Sequence, residues 1–92
     1  MSAPLVSVVI PCHNEGNSVK ECIESFFKQT YPNIEIIVID DCSTDKTPII
    51  LQELKRKGNN IRVFRNDSNK GEGYSRSFGI KVAKGDIIIE AE

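Results

Sequence analysis

The chain has 92 residues, of which 39% are hydrophobic and 27% charged, and its formal net charge is −1. This length suffices for one small domain, and the composition is that of an ordinary globular protein. The sequence has no broad basic region of the kind that attracts a nucleic-acid backbone, and its basic residues cluster only at Lys55, Arg56 and Lys57, so we expect no nucleic-acid partner.

In chain order, the sequence predicts four strands that alternate with three helices. Apolar runs rich in β-branched residues predict strands at residues 5–10, 34–40, 61–65 and 86–89. Apolar residues three and four apart predict helices at residues 19–27, 47–57 and 74–84. The third strand alternates best between apolar and polar residues, which is typical of a sheet edge.

Two local features refine these elements. Asn17 is the predicted cap of the first helix. Gly79 lies inside the third helix, where glycine costs about 1 kcal/mol relative to alanine, so we expect that helix to pack closely on a strand there. Strictly alternating strands and helices predict an α/β fold with a parallel sheet and helices on its faces.

The ends of the chain give two further expectations. The N-terminal apolar run is short and no basic residue precedes it, so it is interpreted as a strand, and we expect a cytoplasmic protein. Residues 1–92 are expected to form a single domain that is truncated at its C-terminus, because the sequence stops as the fourth strand ends. Such a truncated sheet would expose apolar surface and favour self-association.

Polar residues follow all four predicted strands. In an open α/β sheet, ligands bind beyond the carboxyl ends of the strands, so these residues are expected on one rim. After the second strand comes the doublet Asp40 and Asp41, whose carboxylates are suited to accept hydrogen bonds from a ribose or a base N–H group. The alternative is that one of the two aspartates caps the following helix.

Four segments together resemble a known family. "VSVVIPCHNE", "IEIIVIDDCSTDKT", "NKGEGYSRSFGIKVAKGD" and the closing acids are similar to the N-terminal, nucleotide-binding half of family 2 glycosyltransferases. These are inverting enzymes of the GT-A fold, and the resemblance runs from residue 5 to residue 92. It implies a Rossmann-like three-layer sandwich with a mainly parallel four-stranded sheet.

The resemblance also implies which residues bind the nucleotide sugar. His13 would stack on the base, and Asp41 would hold the base with support from Asp40. Cys12 and His13 stand where the family commonly has Thr-Tyr, and Cys42 replaces a frequent glycine. The implied binding residues are Pro11, His13, Asn14, Glu15, Asp40, Asp41, Ser43, Lys70, Gly71 and Arg76.

A divalent cation, Mg²⁺ or Mn²⁺, is implied as well, held by an Asp-x-Asp triplet after the fourth strand. In the preferred register Glu92 is the first acid of that triplet. In the alternative register "EAE" is a shortened triplet, with Glu90 and Glu92 as ligands.

By this resemblance, the parent enzyme transfers a sugar from a nucleotide-diphosphate donor, a UDP-sugar, to an acceptor hydroxyl with inversion. The resemblance leaves the acceptor open among glycans, lipids and polysaccharides, and the parent is expected to work in the cytoplasm or at the cytoplasmic face of the membrane. In the family the general base lies in the C-terminal half, so this chain is expected to be inactive alone.

Three other interpretations remain open. The chain could be a non-catalytic scaffold domain that keeps only the fold. A receiver-like α/β domain would carry its acid pair after the first strand, and that strand ends here in "PCHNE". A zinc site from Cys12, His13 and Cys42 would match no closed four-ligand spacing.

Overall fold

The computed structural model describes residues 3–29, 31–58 and 60–91. Its elements alternate as the sequence predicts, and the four strands form one parallel sheet in the order β3-β2-β1-β4. The elements are β1 (Val6–Cys12), α1 (Gly16–Phe27), β2 (Ile34–Asp40), α2 (Thr47–Lys57), β3 (Ile61–Arg65), α3 (Glu72–Val82) and β4 (Ile87–Glu90). The prediction that residues 61–65 form an edge strand is confirmed.

The helices cover both faces of the sheet, which confirms the predicted three-layer architecture. Successive residues of a strand point to opposite faces, so each buried strand contributes to two cores. Val8, Ile10 and Val38 pack against α1 and α2 on one face. Val9 and Ile39 pack against α3 on the other. Strands buried on both faces explain the near-continuous apolar runs in the sequence.

β1 extends two residues beyond its predicted end, through Pro11 to Cys12. A proline interrupts a strand by removing a ladder N–H group, but here the strand has no need of that group. The carbonyl of Val9 accepts the N–H of Ala91 on the β4 side, whereas the carbonyl of Cys12 accepts the N–H of Asp41 on the β2 side. The backbone polar groups of Pro11 point to the same side as those of Val9, which is the side of β4. Because β4 ends at Glu90, the N–H group that proline lacks is not needed there.

Two helix ends also differ from prediction. α1 begins at Gly16 with Glu15 at the N-cap position, and within the described chain no side chain caps it, so the assignment of Asn17 as cap is wrong. A Cβ atom on Gly16 would lie 2.6 Å from Ile50 Cδ1, so this glycine lets the first turn pack directly against α2. α3 ends at Val82 rather than at residue 84.

The early end of α3 is explained by a buried polar cluster at the amino ends of the strands. The Glu35 carboxylate is 8% exposed and accepts hydrogen bonds from the Ser7 hydroxyl, the Lys84 N–H at 2.7 Å and the Arg62 guanidinium at 3.0 Å. The Gly85 N–H donates to Ser7 Oγ at 2.8 Å. These two backbone N–H groups therefore bond to the sheet and do not continue the helix.

Gly79 packs against the sheet, as its position in α3 predicts. A Cβ atom on it would lie 2.4 Å from Val9 Cγ1 and 2.7 Å from Ile39 Cδ1. We expect Gly79→Ala to lower the free energy of unfolding by about 1–3 kcal/mol, because overpacking outweighs the gain in helix propensity. Urea unfolding followed by circular dichroism measures this change.

Gly73 provides the matched control on the same helix. A Cβ atom there would meet nothing within 4 Å, so Gly73→Ala should raise stability by up to about 1 kcal/mol. Equal effects of the two substitutions would contradict the close packing of α3 on the sheet.

The outer strand β4 exposes apolar side chains. Ile87, Ile88 and Ile89 are 48%, 41% and 44% exposed, respectively. This is the apolar surface that the sequence predicts at the end of the sheet, and self-association through it stays a prediction. No helix among the described residues has both the length and the apolar character needed to span a membrane.

Candidate functional site

A cavity of about 190 Å³ lies at the carboxyl ends of β1 and β2, beside the loops that follow these two strands. Four of the predicted binding residues line it: Pro11, His13, Glu15 and Asp41. The remaining lining residues are Cys12, Ser18, Val19, Glu72 and Ser75. The cavity therefore lies between the end of β1, Asp41 directly after β2, and the first turns of α1 and α3.

Asp41 is 4% exposed and joins the cavity to the loop before α3. Its Oδ1 accepts the Asn66 side-chain N–H at 2.9 Å and the Lys70 backbone N–H at 2.7 Å, and its Oδ2 accepts the Gly71 N–H at 2.8 Å. Burial raises the pKa of Asp41, but the hydrogen bonds from Lys70, Asn66 and Gly71 outweigh burial and hold that pKa below its usual value.

Asp40 is 1% exposed and belongs to a different set of contacts. Its Oδ2 accepts a hydrogen bond from the Arg65 guanidinium at 2.7 Å, and its Oδ1 accepts the N–H of Ser43 at 3.1 Å together with the Ser43 hydroxyl. Arg65 also donates to the Ser43 carbonyl at 2.9 Å. Asp40 thus organises the loop after β2 and lies outside the lining of the cavity.

The two adjacent carboxylates point to opposite faces of the sheet, which explains how the chain tolerates them side by side. Asp40 shares its orientation with Val38 and faces Arg65 on the α1 and α2 side. Asp41 reaches Asn66 and the N-terminus of α3, where negative charge is favourable. Neither aspartate caps α2, whose first N–H group, that of Thr47, bonds to Asp45 Oδ1 instead.

His13 is held at the wall of the cavity in one tautomer. Its Nδ1 lies 2.7 Å from the Asp41 carbonyl oxygen, which only accepts, so Nδ1 carries the proton. Its Nε2 lies 3.3 Å from the Asn14 side-chain nitrogen. The Asn14 amide oxygen accepts the Thr44 N–H at 2.9 Å, so that nitrogen is the donor and Nε2 the acceptor.

Both loops at this wall contain residues with positive φ. Asn14 has φ 52° and Cys42 has φ 56°. Cys42 stands where the resembling family often has glycine, and the backbone keeps a conformation that favours glycine although the residue is cysteine. A non-glycine residue in this region costs on the order of 1 kcal/mol.

The predicted positive residues lie around the rim. Lys70 Nζ is 3.7 Å from Asp67 and 5.2 Å from the centre of the Tyr74 ring. Arg76 donates to Glu72 at 2.9 Å, and its Nε lies 3.2 Å from Glu90 Oε2 as an ion pair without a hydrogen bond. Lys70 therefore contributes its backbone N–H to the site through Asp41, and Arg76 is held between two carboxylates.

The predicted metal ligands do not form a complete site in the part of the chain that the structure describes. No group of three or more His, Cys, Asp or Glu residues converges there in a way that could hold a metal ion. Glu90 is paired with Arg76, and Glu92 lies outside the described residues. Both assignments stay predictions.

Cys12 is a wall residue without the character of a nucleophile or a metal ligand. Burial, with the charges of Asp40 and Glu15 adding to it, raises the pKa of the Cys12 thiol to about 12. The thiol therefore stays protonated at neutral pH in the absence of a metal ion. The zinc interpretation is disfavoured because Cys12, His13 and Cys42 do not form a group that could hold a metal ion in the described part of the chain.

Sequence reasoning missed several residues of the site. Asn66 donates to Asp41 and, at 2.9 Å, to the Ser75 hydroxyl, and all three residues are buried. The position of Asn66 directly after β3 was a signal for the rim, but its bond to Asp41 required the fold. Glu72 and Ser75 lie on the first turn of α3, and helical periodicity alone does not distinguish them from solvent-facing residues.

Sequence comparison finds that the family profile described as "Glycosyl transferase family 2" matches residues 7–90. A glycosyltransferase named GlyG from Streptococcus pneumoniae is 43% identical over 84 residues, which are 91% of this chain and 28% of that protein. The chain therefore spans about a quarter of the length of such relatives.

Structural comparison agrees. TarS from S. aureus in complex with UDP-GlcNAc is 32% identical with a TM-score of 0.87, over 95% of this chain and 26% of that one. A mannosyltransferase from Pyrobaculum calidifontis, solved with GDP-Man and Mn²⁺, is 24% identical with a TM-score of 0.86, over 95% of this chain and 26% of that one, and shows the same fold. The α/β sandwich is thus the Rossmann-like fold of GT-A glycosyltransferases. The chain belongs to glycosyl transferase family 2.

Proposed function

We propose that this chain binds the nucleotide of a UDP-sugar donor, and that the full-length protein transfers the sugar, a hexose, to an acceptor hydroxyl with inversion. The observation that carries the proposal is the cavity at the carboxyl ends of β1 and β2, where the Asp41 carboxylate and the His13 ring lie together. Family membership and the UDP-GlcNAc complex of TarS support it.

The bonding of Asp41 suits a base with a single N–H group on its edge. A carboxylate accepts about four hydrogen bonds. Donors among the described residues occupy three positions, two on Oδ1 and one on Oδ2, which leaves one acceptor position on Oδ2. Uracil offers one N–H between two carbonyl groups, so it would complete the set.

The His13 ring offers a flat surface on which a base can stack. Its two hydrogen bonds hold the ring plane in place before the nucleotide arrives, which reduces the entropy lost on binding.

A divalent cation, when bound, would neutralise the diphosphate that leaves the sugar. The acidic residues that follow β4 are the proposed source of its ligands, with Glu92 as the first. No residue of this chain matches the general base of the family, so we propose that the 92 residues bind the donor but do not transfer the sugar. The acceptor class and the cytoplasmic location stay predictions.

Titration of ¹⁵N-labelled protein with UDP in the presence of Mg²⁺ tests this proposal. We expect the amide resonances of His13, Asp41, Lys70 and Gly71 to shift, whereas those of Glu35 and Arg62 at the opposite end of the sheet should not. ADP should cause smaller shifts, because adenine lacks the ring N–H group that uracil offers to the free acceptor position on Asp41 Oδ2. Unchanged spectra at millimolar UDP would contradict donor binding and favour the scaffold interpretation.

A further inference from the structure

Arg65 lies outside the lining of the cavity, at the end of the edge strand β3, and its side chain is 46% exposed. It nevertheless makes two hydrogen bonds to the loop after β2, one to Asp40 Oδ2 at 2.7 Å and one to the Ser43 carbonyl at 2.9 Å. Because Asp40 is buried, this guanidinium supplies the positive charge that its carboxylate requires.

The contacts continue from Asp40 to the loop after β1. The Ser43 hydroxyl donates its only proton to Asp40 Oδ1, so its oxygen is free to accept. It accepts the backbone N–H of Asn14 at 2.9 Å. The bond helps to hold Asn14 at φ 52°, in the left-handed region that asparagine adopts more readily than most other non-glycine residues.

Asn14 in turn positions His13. Its side-chain nitrogen donates to His13 Nε2, while the Asp41 carbonyl holds the proton on Nδ1. The relay from Arg65 to His13 therefore runs through Asp40, Ser43 and Asn14, and each contact in it is a direct hydrogen bond.

We propose that Arg65 is a positioning residue for the nucleotide pocket, which it shapes through this relay without contacting the ligand. The inference rests on the proposed function for its effect on binding. Its effect on the His13 ring is independent of that function. Removal of Arg65 leaves the Asp40 charge buried and unpaired, so the loop after β2 rearranges and the ring loses its fixed partners.

The tautomer of His13 is the direct readout. The chain contains one histidine, so its imidazole nitrogens give unambiguous ¹⁵N resonances. In the native protein, measured in mildly alkaline buffer, we expect a protonated Nδ1 and an unprotonated Nε2. In Arg65→Met we expect a mixture of tautomers, together with an increase of about tenfold in the Kd for UDP.

Arg62→Met is the matched control. Arg62 lies on the same strand, and it also pairs with a buried carboxylate, that of Glu35, at 3.0 Å. This contact lies at the other end of the sheet, so Arg62→Met should lower stability without changing the His13 tautomer or the Kd for UDP by more than about twofold. A merely structural role of Arg65 would make the two variants alike.

Two further variants keep the test informative if Arg65→Met does not fold. Arg65→Lys keeps the charge but cannot reach both acceptors as a guanidinium does, so we expect an intermediate tautomer ratio. Asp40→Asn combined with Arg65→Met removes both charges, and it should restore the ratio toward the native one. Native tautomer ratios in Arg65→Met and in Arg65→Lys would overturn the proposal.

Failure of the relay and failure of the proposed function give different results. A native chain that binds no UDP would overturn the proposed function, and the tautomer comparison would still decide the relay. A native chain that binds UDP, with unchanged Kd and tautomer in Arg65→Met, would overturn the relay alone.

Discussion

Replacement of Asp41 by asparagine is expected to abolish detectable UDP binding and to lower the free energy of unfolding by about 2–3 kcal/mol. An asparagine side chain has a single acceptor oxygen, so its nitrogen would face at least one of the N–H groups of Lys70 and Gly71. That buried donor would lose its partner, and the loop before α3 would move. Calorimetric titration with UDP and urea unfolding measure the two effects.

The acid dependence of stability provides a second measurement of the same group. Because the pKa of Asp41 is below its ordinary value of 3.8 in the folded protein, its contribution is fully present above pH 3.8. The contribution is lost as the pH falls through the folded pKa. As the pH falls through this acidic range, the free energy of unfolding of the Asp41→Asn variant should therefore decrease less than that of the native protein.

Asp67→Asn is the control for Asp41. The Asp67 side chain is 91% exposed on the same rim, and its nearest cation, Lys70 Nζ, is 3.7 Å away. We expect this change to alter stability by less than about 0.5 kcal/mol and to leave UDP binding intact. If Asp41→Asn changed stability and UDP binding as little as Asp67→Asn, the three hydrogen bonds to Asp41 would not be the contacts that hold the loop before α3.

Replacement of Glu35 by glutamine is expected to lower the free energy of unfolding by about 2–3 kcal/mol while leaving UDP affinity unchanged. The glutamine nitrogen would replace either Oε2, which accepts from Ser7 and Lys84, or Oε1, which accepts from Arg62, and it has no lone pair to offer these donors. This cluster lies at the amino ends of the strands, away from the cavity. Hydrogen exchange should report faster opening at Lys84 and Gly85.

The pH dependence of Glu35 has the same sign as that of Asp41. Burial raises the pKa of Glu35, but the hydrogen bonds from Ser7, Lys84 and Arg62 outweigh it and lower the pKa below 4.5. The stabilisation is therefore present above pH 4.5 and is lost as the pH falls through the folded value. Glu53 lies on the exposed face of α2, so Glu53→Gln should change neither the free energy of unfolding nor its dependence on pH. A change as large as that caused by Glu35→Gln would contradict the role assigned to Glu35.

The order and type of the elements could be predicted because burial on both faces produces long apolar runs, and packing on one face produces helical periodicity. β3 illustrates this well, since its alternation marks it as an edge strand and its predicted bounds are those observed. The common rim also follows from topology, because parallel strands bring their carboxyl ends to one side.

The partners of the doublet could not be predicted, because two of the three donors to Asp41 are backbone N–H groups, which have no sequence signature. The prediction that Asn17 caps α1 was wrong because Gly16 packs against Ile50, a residue distant in the sequence. Local sequence patterns cannot predict such a contact. For Glu35 a signal did exist: an acid inside a buried apolar strand requires partners, and Arg62 on the neighbouring strand was available.

Asp86 and Glu90 flank the three isoleucines of β4. These acids affect whether β4, an edge strand in this sheet, can pair with the same strand of a second copy of the chain. A two-fold axis between two such edges would pair them antiparallel, and the register that matches all three isoleucines places Asp86 opposite Glu90. Like charges directly opposite each other are destabilising. This antiparallel pairing is therefore disfavoured, although Arg76, 3.2 Å from Glu90, offsets part of the repulsion. The apolar faces of the strand remain accessible to a partner with compensating basic residues.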